Sequence, residues 1–340
     1  MNAPVLHRQP KDYATDQEVR WCPGCGDYAI LKAVLKTLAE FDADPARTVF
    51  VSGIGCAARF PYYVETYGFH TIHGRAPAVA TGVKLANPEL DVWVVGGDGD
   101  LLSIGGNHLV HALRRNVDLQ ILLLNNEVYG LTKGQASPTS RPGTRTPSTP
   151  EGSLDAPVSA LRLALGAGAR FVARGIDTQQ KVLPEILKRA RQHQGAALVE
   201  ILQNCIVYND GVFAGITEKA VEAEAQIHLV HGEPLLFGRN RERGLRLRGD
   251  RLGLEAVELG GGDAAAAGIL RHDQTDPVLA LLLATMEPPT LPVAISVLYD
   301  DPAPSHQARL AAREEVLAGR RGPADLNALL RQDATWRTPA

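Results

Sequence analysis

The sequence predicts an α/β protein: a mostly parallel sheet flanked by helices, followed by a C-terminal extension. Three observations carry this reading. First, short aliphatic runs at 90–95 (Leu-Asp-Val-Trp-Val-Val) and 119–124 have the pattern of strands buried on both faces. Second, each run stops at small or polar residues, Gly96-Gly97-Asp98-Gly99-Asp100 after one and Asn125-Asn126 after the other, and a helical pattern lies between them. Strand, loop, helix and strand at this spacing make a βαβ unit, hence a parallel sheet. Third, 340 residues with 45% hydrophobic content can bury a large core. At roughly 150 residues per domain that length fits about two domains, or one large α/β domain with an extension.

The elements follow in order. Residues 1–17 read as an irregular arm, with charge and proline and without the apolar stretch of a signal peptide. The main α/β domain is expected over 18–225. Within 27–41, Ile30, Leu31, Val34, Leu35 and Leu38 recur at helical spacing, so a helix follows the turn Cys22-Pro23-Gly24-Cys25. Residues 48–52 form a β-branched strand ending at Gly53-Ile54-Gly55-Cys56, and the small apolar residues of 77–86 form a tightly packed helix. Strand 90–95, helix 104–114 and strand 119–124 come next. Residues 132–157 are rich in Pro, Ser, Thr and Gly. A loop of that length inside an α/β domain is usually functional or mobile. Helical pattern returns at 158–165 and 179–192, and 197–206 reads as a strand ending near Cys205. Over 226–340 the pattern changes: glycines at 260–262, alanines at 264–267 and prolines within 288–292 suggest an irregular extension with a few helices.

Composition excludes several classes. The 35 basic and 38 acidic residues leave a net charge of −3, unlike a generally basic nucleic-acid binder and without a polybasic membrane anchor. Aromatic residues at 5% are too few for a stacking platform. No apolar run approaches the roughly 18 residues of a membrane span. The expected compartment is the cytoplasm.

Two constellations carry chemistry. Gly97-Asp98-Gly99 and Asn125-Asn126 end adjacent strands, at the sheet edge where open α/β folds bind ligands. The glycines allow close backbone approach, and a following helix offers free N–H groups to a phosphate. Asp98 supplies a hard carboxylate oxygen and Asn126 an amide oxygen, the ligand types Mg2+ takes beside a diphosphate and water. A lone Gly-Asp-Gly is also an ordinary strand-to-helix turn. The whole order resembles the thiamine diphosphate signature, with Asp98, Asn126 and the main-chain carbonyl of Val128 in the metal roles. The second constellation is the four cysteines, Cys22, Cys25, Cys56 and Cys205. Four thiols suit a tetrahedral zinc or an iron–sulfur cluster. Only one pair is local, and the other two fall near strand ends. Spacing alone leaves zinc, a cluster and ordinary buried small residues open.

Several motifs then appear together and in order: Trp21-Cys22-Pro23-Gly24-Cys25-Gly26, Gly53-Ile54-Gly55-Cys56, His70-Thr71-Ile72-His73-Gly74-Arg75-Ala76, Gly97-Asp98-Gly99-Asp100 and Tyr129-Gly130-Leu131-Thr132-Lys133-Gly134-Gln135. Over roughly residues 15–240 the chain resembles the β subunit of 2-oxoacid:ferredoxin oxidoreductases, the 2-oxoglutarate type most closely. The resemblance implies a thiamine diphosphate-binding fold holding thiamine diphosphate, Mg2+ and one [4Fe–4S] cluster. The family's cluster cysteines fall on Cys22, Cys25, Cys56 and Cys205. Its cofactor positions fall on Ile54, Gly55, Cys56, Ala57, His73, Gly74, Gly97, Gly99, Asp100, Gly130 and Leu131. One departure is visible: the family commonly reads Leu-Pro after His-Gly-Arg-Ala, and here Pro77-Ala78 follows Ala76.

The implied activity is thiamine-dependent oxidative decarboxylation of 2-oxoglutarate to succinyl-CoA and CO2, with electrons passing through the cluster to ferredoxin. The glutamate that activates the cofactor is expected from a partner α subunit, so an αβ or (αβ)2 assembly is implied. Lys133 and Arg59 are candidates to face a substrate carboxylate or the diphosphate, and each is equally an ordinary solvated cation. His73 is a candidate to contact the cofactor or move protons. The basic stretch 239–251 reads as a solvated face or a docking patch for an acidic ferredoxin. Two other readings stand beside this one. A pyruvate or broad-specificity 2-oxoacid:ferredoxin oxidoreductase β subunit is the first. A zinc-binding, non-enzymatic scaffold with a thiamine-like fold is the second.

Overall fold

The computed structural model describes residues 7–260, 264–321, 325–332 and 335–336. Part of the expected N-terminal arm (1–6) and part of the glycine run (261–262) therefore lie outside the described residues. The strands, in chain order, are β1 (Thr48–Ser52), β2 (Tyr67–His70), β3 (Asp91–Gly97), β4 (Leu119–Asn125), β5 (Val128–Tyr129), β6 (Gln135–Ala136), β7 (Phe171–Ile176), β8 (Ala196–Leu202), β9 (Gln226–His228), β10 (Leu236–Phe237), β11 (Arg243–Leu247), β12 (Leu254–Glu258) and β13 (Val293–Asp300).

Eight of them form one sheet in the order β2-β1-β3-β4-β8-β7-β13-β9. Every neighbouring pair is parallel except β13 against β7. β5 and β6 form a short hairpin, and β10, β11 and β12 make a separate antiparallel sheet.

The central strands are apolar on both faces because helices cover both. Val49, Val51, Val92, Val94, Ile121 and Leu123 point to one core, closed by the helices Ala76–Ala86, Gly106–Arg115 and Ala160–Gly166. Phe50, Trp93, Val95, Leu122 and Leu124 alternate with them and point to the other core, under the helices Asp27–Glu40 and Leu183–Gln192. Ile30, Val34 and Leu38 are the buried stripe of the Asp27 helix. Truncating a core residue such as Leu38 to Ala should cost roughly 2–5 kcal/mol. Helix Gly106–Arg115 ends at Asn116 in the left-handed conformation (φ 55°), a common helix stop.

The structure departs from the sequence reading in several places. After β3 the regular helix starts at Gly106, because 99–104 form a wider turn with Ser103 away from helical geometry. β8 stops at Leu202, three residues before Cys205, which sits in irregular chain. The extension expected to be irregular instead adds β9 and β13 to the main sheet and builds the β10–β12 sheet. Its buried run Val293–Asp300 directly follows the prolines of 288–292, so the composition of the segment hid a genuine strand. β2 was also not expected: it is an edge strand exposed along its length and so lacks an apolar alternation.

Candidate functional site

Parallel pairing brings the C-terminal ends of β1, β3, β4 and β8 to one sheet edge. The chain leaves each strand in a loop there, and the loops enclose a cavity of about 110 Å3. Ile54, Gly55, Cys56, Ala57, His73, Gly97, Asp98, Gly99, Asp100, Asn126, Val128, Gly130 and Leu131 line it. Gly74 stands behind the wall and donates its N–H to Asp100 Oδ1 at 2.7 Å. Arg59 lies in a neighbouring pocket of about 390 Å3 that shares Ile54, Gly55 and Leu131 with the first. Lys133 is exposed at the β5–β6 turn with φ 76° and lines neither cavity.

The cavity wall is built by close contacts. Tyr129 lies against Gly99, where a Cβ would come within 2.0 Å of the ring, so only glycine fits. The Tyr129 hydroxyl donates to the Gly99 carbonyl at 3.3 Å. Asp100 is buried, and its Oδ1 accepts from Ile54 N (3.1 Å), Gly74 N (2.7 Å) and His73 Nδ1 (2.5 Å). Its Oδ2 has no hydrogen-bond partner among the described residues. With the carboxylate as acceptor, His73 carries its proton on Nδ1 and leaves Nε2 free.

Asp98 is also buried. Its Oδ2 accepts from Ser137 Oγ at 2.5 Å and Thr139 Oγ1 at 2.6 Å. Burial pushes its pKa above the ordinary carboxylate value, against these hydroxyls. Asn126 donates its amide to Gln203 at 2.8 Å and accepts from Val128 N at 3.2 Å.

The thiols gather on the same side. A Cβ on Gly130 would lie 3.5 Å from Cys205 Sγ and 3.9 Å from Cys56 Sγ, so both sulfurs approach this glycine. Gln203 Nε2 donates to Cys25 Sγ at 3.3 Å. Gly26 N donates to the Asn204 carbonyl, tying the Cys22–Cys25 turn to the segment that carries Cys205. Burial, with Asp27, Cys205 and Cys22 adding to it and Arg59 opposing, pushes the Cys56 thiol up to about 11. Burial and Asp27 likewise raise Cys25. Asp27 itself is pushed up to about 7 by burial, with Asp177 adding to the rise and the Cys25 thiol opposing it. Among the described residues, no three His, Cys, Asp or Glu side chains are gathered as they would be around one bound ion.

Sequence reasoning missed Asp27, Gln203, Ser137 and Thr139. Asp27 follows the Cys-x-x-Cys-Gly turn directly, which was a usable signal. Ser137 and Thr139 sit in the Ser/Thr-rich 132–157 segment; its first part does not float over the site but braces Asp98. In the basic stretch, Arg243, Arg246 and Arg248 pair with Glu224, Glu258, Glu255 and Asp250.

A mostly parallel sheet with Gly-Asp-Gly and Asn-Asn ending adjacent strands defines a thiamine diphosphate-binding α/β domain. The family described as thiamine pyrophosphate enzyme, C-terminal TPP binding domain, matches residues 53–201. The chain is 50% identical over 333 residues to 2-oxoglutarate oxidoreductase subunit KorB of Mycobacterium tuberculosis, covering 96% of this chain and 87% of that one. It is 52% identical over 206 residues to 2-oxoacid:ferredoxin oxidoreductase 1, subunit beta, of Aeropyrum pernix, covering 61% of this chain and 65% of that protein. A solved 2-oxoglutarate:ferredoxin oxidoreductase from Magnetococcus marinus, with 2-oxoglutarate, coenzyme A and succinyl-CoA bound, superposes with a TM-score of 0.78 at 34% identity, over 98% of both chains. The chain belongs to the 2-oxoacid:ferredoxin oxidoreductase β-subunit family.

Proposed function

We propose that this chain is the β subunit of a 2-oxoglutarate:ferredoxin oxidoreductase, working in the cytoplasm with an α subunit as αβ or (αβ)2. In this reading it takes 2-oxoglutarate and coenzyme A to succinyl-CoA and CO2 and passes electrons to ferredoxin. The observation that carries the proposal is one convergence: Asp98, the Asn126–Val128 turn and the thiols of Cys56 and Cys205 meet at one sheet edge. The relatives' names agree with it. No helix among the described residues is long and apolar enough to cross a membrane.

By donor chemistry, the residues present suit the cofactors. Asp98, Asn126 and the Val128 carbonyl form an all-oxygen donor set suited to Mg2+. Cys22, Cys25, Cys56 and Cys205 form an all-thiol set suited to a four-iron cluster. Bound thiamine diphosphate would supply the electron sink for loss of CO2, and the cluster would accept the electrons released.

The chain's own residues then have separable roles. Glycines 97 and 99 let the backbone approach the diphosphate. Asp100 holds His73 with its proton on Nδ1, so Nε2 can take or give a proton in the cavity. The N–H of Gln203 on Cys25 Sγ stabilises thiolate charge, one of the levers that set a cluster's potential. Arg59, in the neighbouring pocket that shares Ile54, Gly55 and Leu131 with the cavity, and Lys133, on the β5–β6 turn, would meet carboxylates of the substrate.

The test is co-expression with the α subunit, followed by metal analysis and substrate profiling. Roughly four irons per chain, with ferredoxin reduction driven by 2-oxoglutarate over pyruvate, is the expected result. Preference for pyruvate would move the chain to the broad-specificity group. One zinc with no iron and no thiamine diphosphate binding would replace the proposal with the scaffold reading.

A further inference from the structure

We propose that the Arg174–Glu200 ion pair, with Asn125 and Thr139, positions the metal end of the cofactor site and sets how tightly it holds Mg2+. This rests on the thiamine diphosphate reading above. Arg174 on β7 and Glu200 on β8 are direct neighbours in register. Arg174 Nε donates to Glu200 Oε2 at 2.7 Å, with both side chains almost wholly out of solvent. The other carboxylate oxygen, Oε1, accepts from Asn125 Nδ2 at 2.8 Å. Glu200 therefore divides its two oxygens between a cation and an amide, which fixes the orientation of Asn125.

Asn125 faces the metal turn with its other end. Its Oδ1 accepts from Glu127 N at 3.2 Å and lies 2.9 Å from Thr139 Oγ1. Glu127 has φ 54°, a conformation that a non-glycine residue adopts only when its surroundings hold it. The side-chain turn from Asn125 and a hydrogen bond from Ser140 Oγ to the Glu127 carbonyl (2.6 Å) supply that hold. The residues on either side of Glu127 are Asn126 and Val128, the expected metal donors. Thr139 braces the remaining metal donor, because its hydroxyl reaches Asp98 Oδ2 at 2.6 Å. That hydroxyl has one proton. The charged carboxylate is the stronger acceptor, and Asn125 Oδ1 retains the Glu127 N–H.

A buried ion pair is weak grounds for stability, since apolar replacements are often as stable. What distinguishes this pair is its cargo: an amide whose two ends are both committed, one to the pair and one to the turn that carries two metal donors. Residues that orient metal ligands typically change metal affinity ten- to a hundredfold when lost.

The experiment uses the αβ complex stripped of metal and thiamine diphosphate. Mg2+ is titrated at fixed thiamine diphosphate, and binding is read by calorimetry, without turnover. Thr139→Val and Glu200→Gln are expected to raise the half-saturating Mg2+ concentration roughly ten- to a hundredfold. Thr139→Ser, which restores the hydroxyl, should return it close to wild type. Lys84→Met removes a buried ion pair with Asp118 at the opposite, N-terminal end of the strands. It should lower Tm and leave the Mg2+ midpoint in place. An unchanged midpoint in folded Thr139→Val overturns the proposal, as does an equal shift in Lys84→Met. If Glu200→Gln does not fold, Thr139→Val and its Ser rescue decide alone. A wild-type complex that binds no thiamine diphosphate at any Mg2+ concentration is a different failure, and removes the cofactor reading itself.

Discussion

Asp98, at the carboxyl edge of β3, is buried against two hydroxyls. Asp300, where β13 meets β7, is half-buried between Arg189 and His193, each donating at 2.9 Å. The two carboxylates move in opposite directions. Burial holds Asp98 above the ordinary value despite Ser137 and Thr139. Burial alone would raise Asp300 too, but the hydrogen bonds and charges of His193 and Arg189 outweigh it and hold Asp300 low. At the seam the carboxylate of Asp300 is met by Arg189 and His193 of its own chain, although His193 Nε2 lacks a hydrogen-bond partner among the described residues. At the site, Asp98, Asp27 and Asp177 are all raised by burial, and Asp100 Oδ2 and Asp27 Oδ1 lack hydrogen-bond partners among the described residues. Carboxyl groups perturbed by burial beside a cleft mark a candidate functional site.

The sharpest way to break this contrast is Asp98→Asn. Mg2+-dependent thiamine diphosphate binding and 2-oxoglutarate-driven ferredoxin reduction should fall by more than about a hundredfold. Tm of the cofactor-free complex should not fall, because a destabilising buried charge is removed. A loss of Tm equal to that of a core truncation would show that Asp98 serves the fold. Next in size is Cys56→Ser, which should abolish stoichiometric iron and the broad absorption near 400 nm, with ferredoxin reduction lost in parallel. Retention of full iron content would remove Cys56 from the ligand set.

Asp300→Asn addresses the other side of the comparison. It should cost about 1–3 kcal/mol at neutral pH, the scale of a charged hydrogen bond, and leave activity per folded molecule unchanged. The sign with pH follows from the lowered value. The stabilisation is fully present above the unfolded carboxylate pKa of about 3.9 and is lost as pH falls through the lower folded value. Tm curves of wild type and variant should therefore converge as pH falls below the unfolded carboxylate value and through the lower folded one. Curves that stay parallel would show that the charge of Asp300 is not what holds the seam. The smallest effect is expected at Lys36, whose i,i+4 pair with Glu40 is solvent-exposed. Lys36→Ala should change stability by no more than about 0.5 kcal/mol in a denaturant titration.

The comparison also explains what could be read in advance. Strands β1, β3 and β4 and the helix Asp27–Glu40 were legible because a continuous apolar run, or an apolar residue at every helical turn, is a local property. Asp98 and Asn126, the expected metal donors, stood out because Gly-Asp-Gly and Asn-Asn punctuate strand ends, whereas the other expected cofactor positions came from the family resemblance. β7 and β13 were not legible. They follow irregular or proline-rich chain, and their pairing is set by contacts far away in sequence. The braces of Asp98 were hidden for the same reason: Ser137 and Thr139 belong to a segment whose composition reads as loop.

By itself, the sequence determined strands β1, β3, β4 and β8, the helix Asp27–Glu40, the small or polar residues that end β3 and β4, and a set of four thiols with one local pair. These follow from local periodicity and from which residue types can occupy a tight turn. Only the tertiary structure decided which of them meet. Ser137 reaches Asp98 from 39 residues away, Glu200 reaches Asn125 from 75, and Gln203 reaches Cys25 from 178. Such contacts depend on strand order and sheet twist, which no local pattern encodes. The acceptors on Asp98 and the thiols around Gly130 became one site only when β1, β3, β4 and β8 were laid side by side.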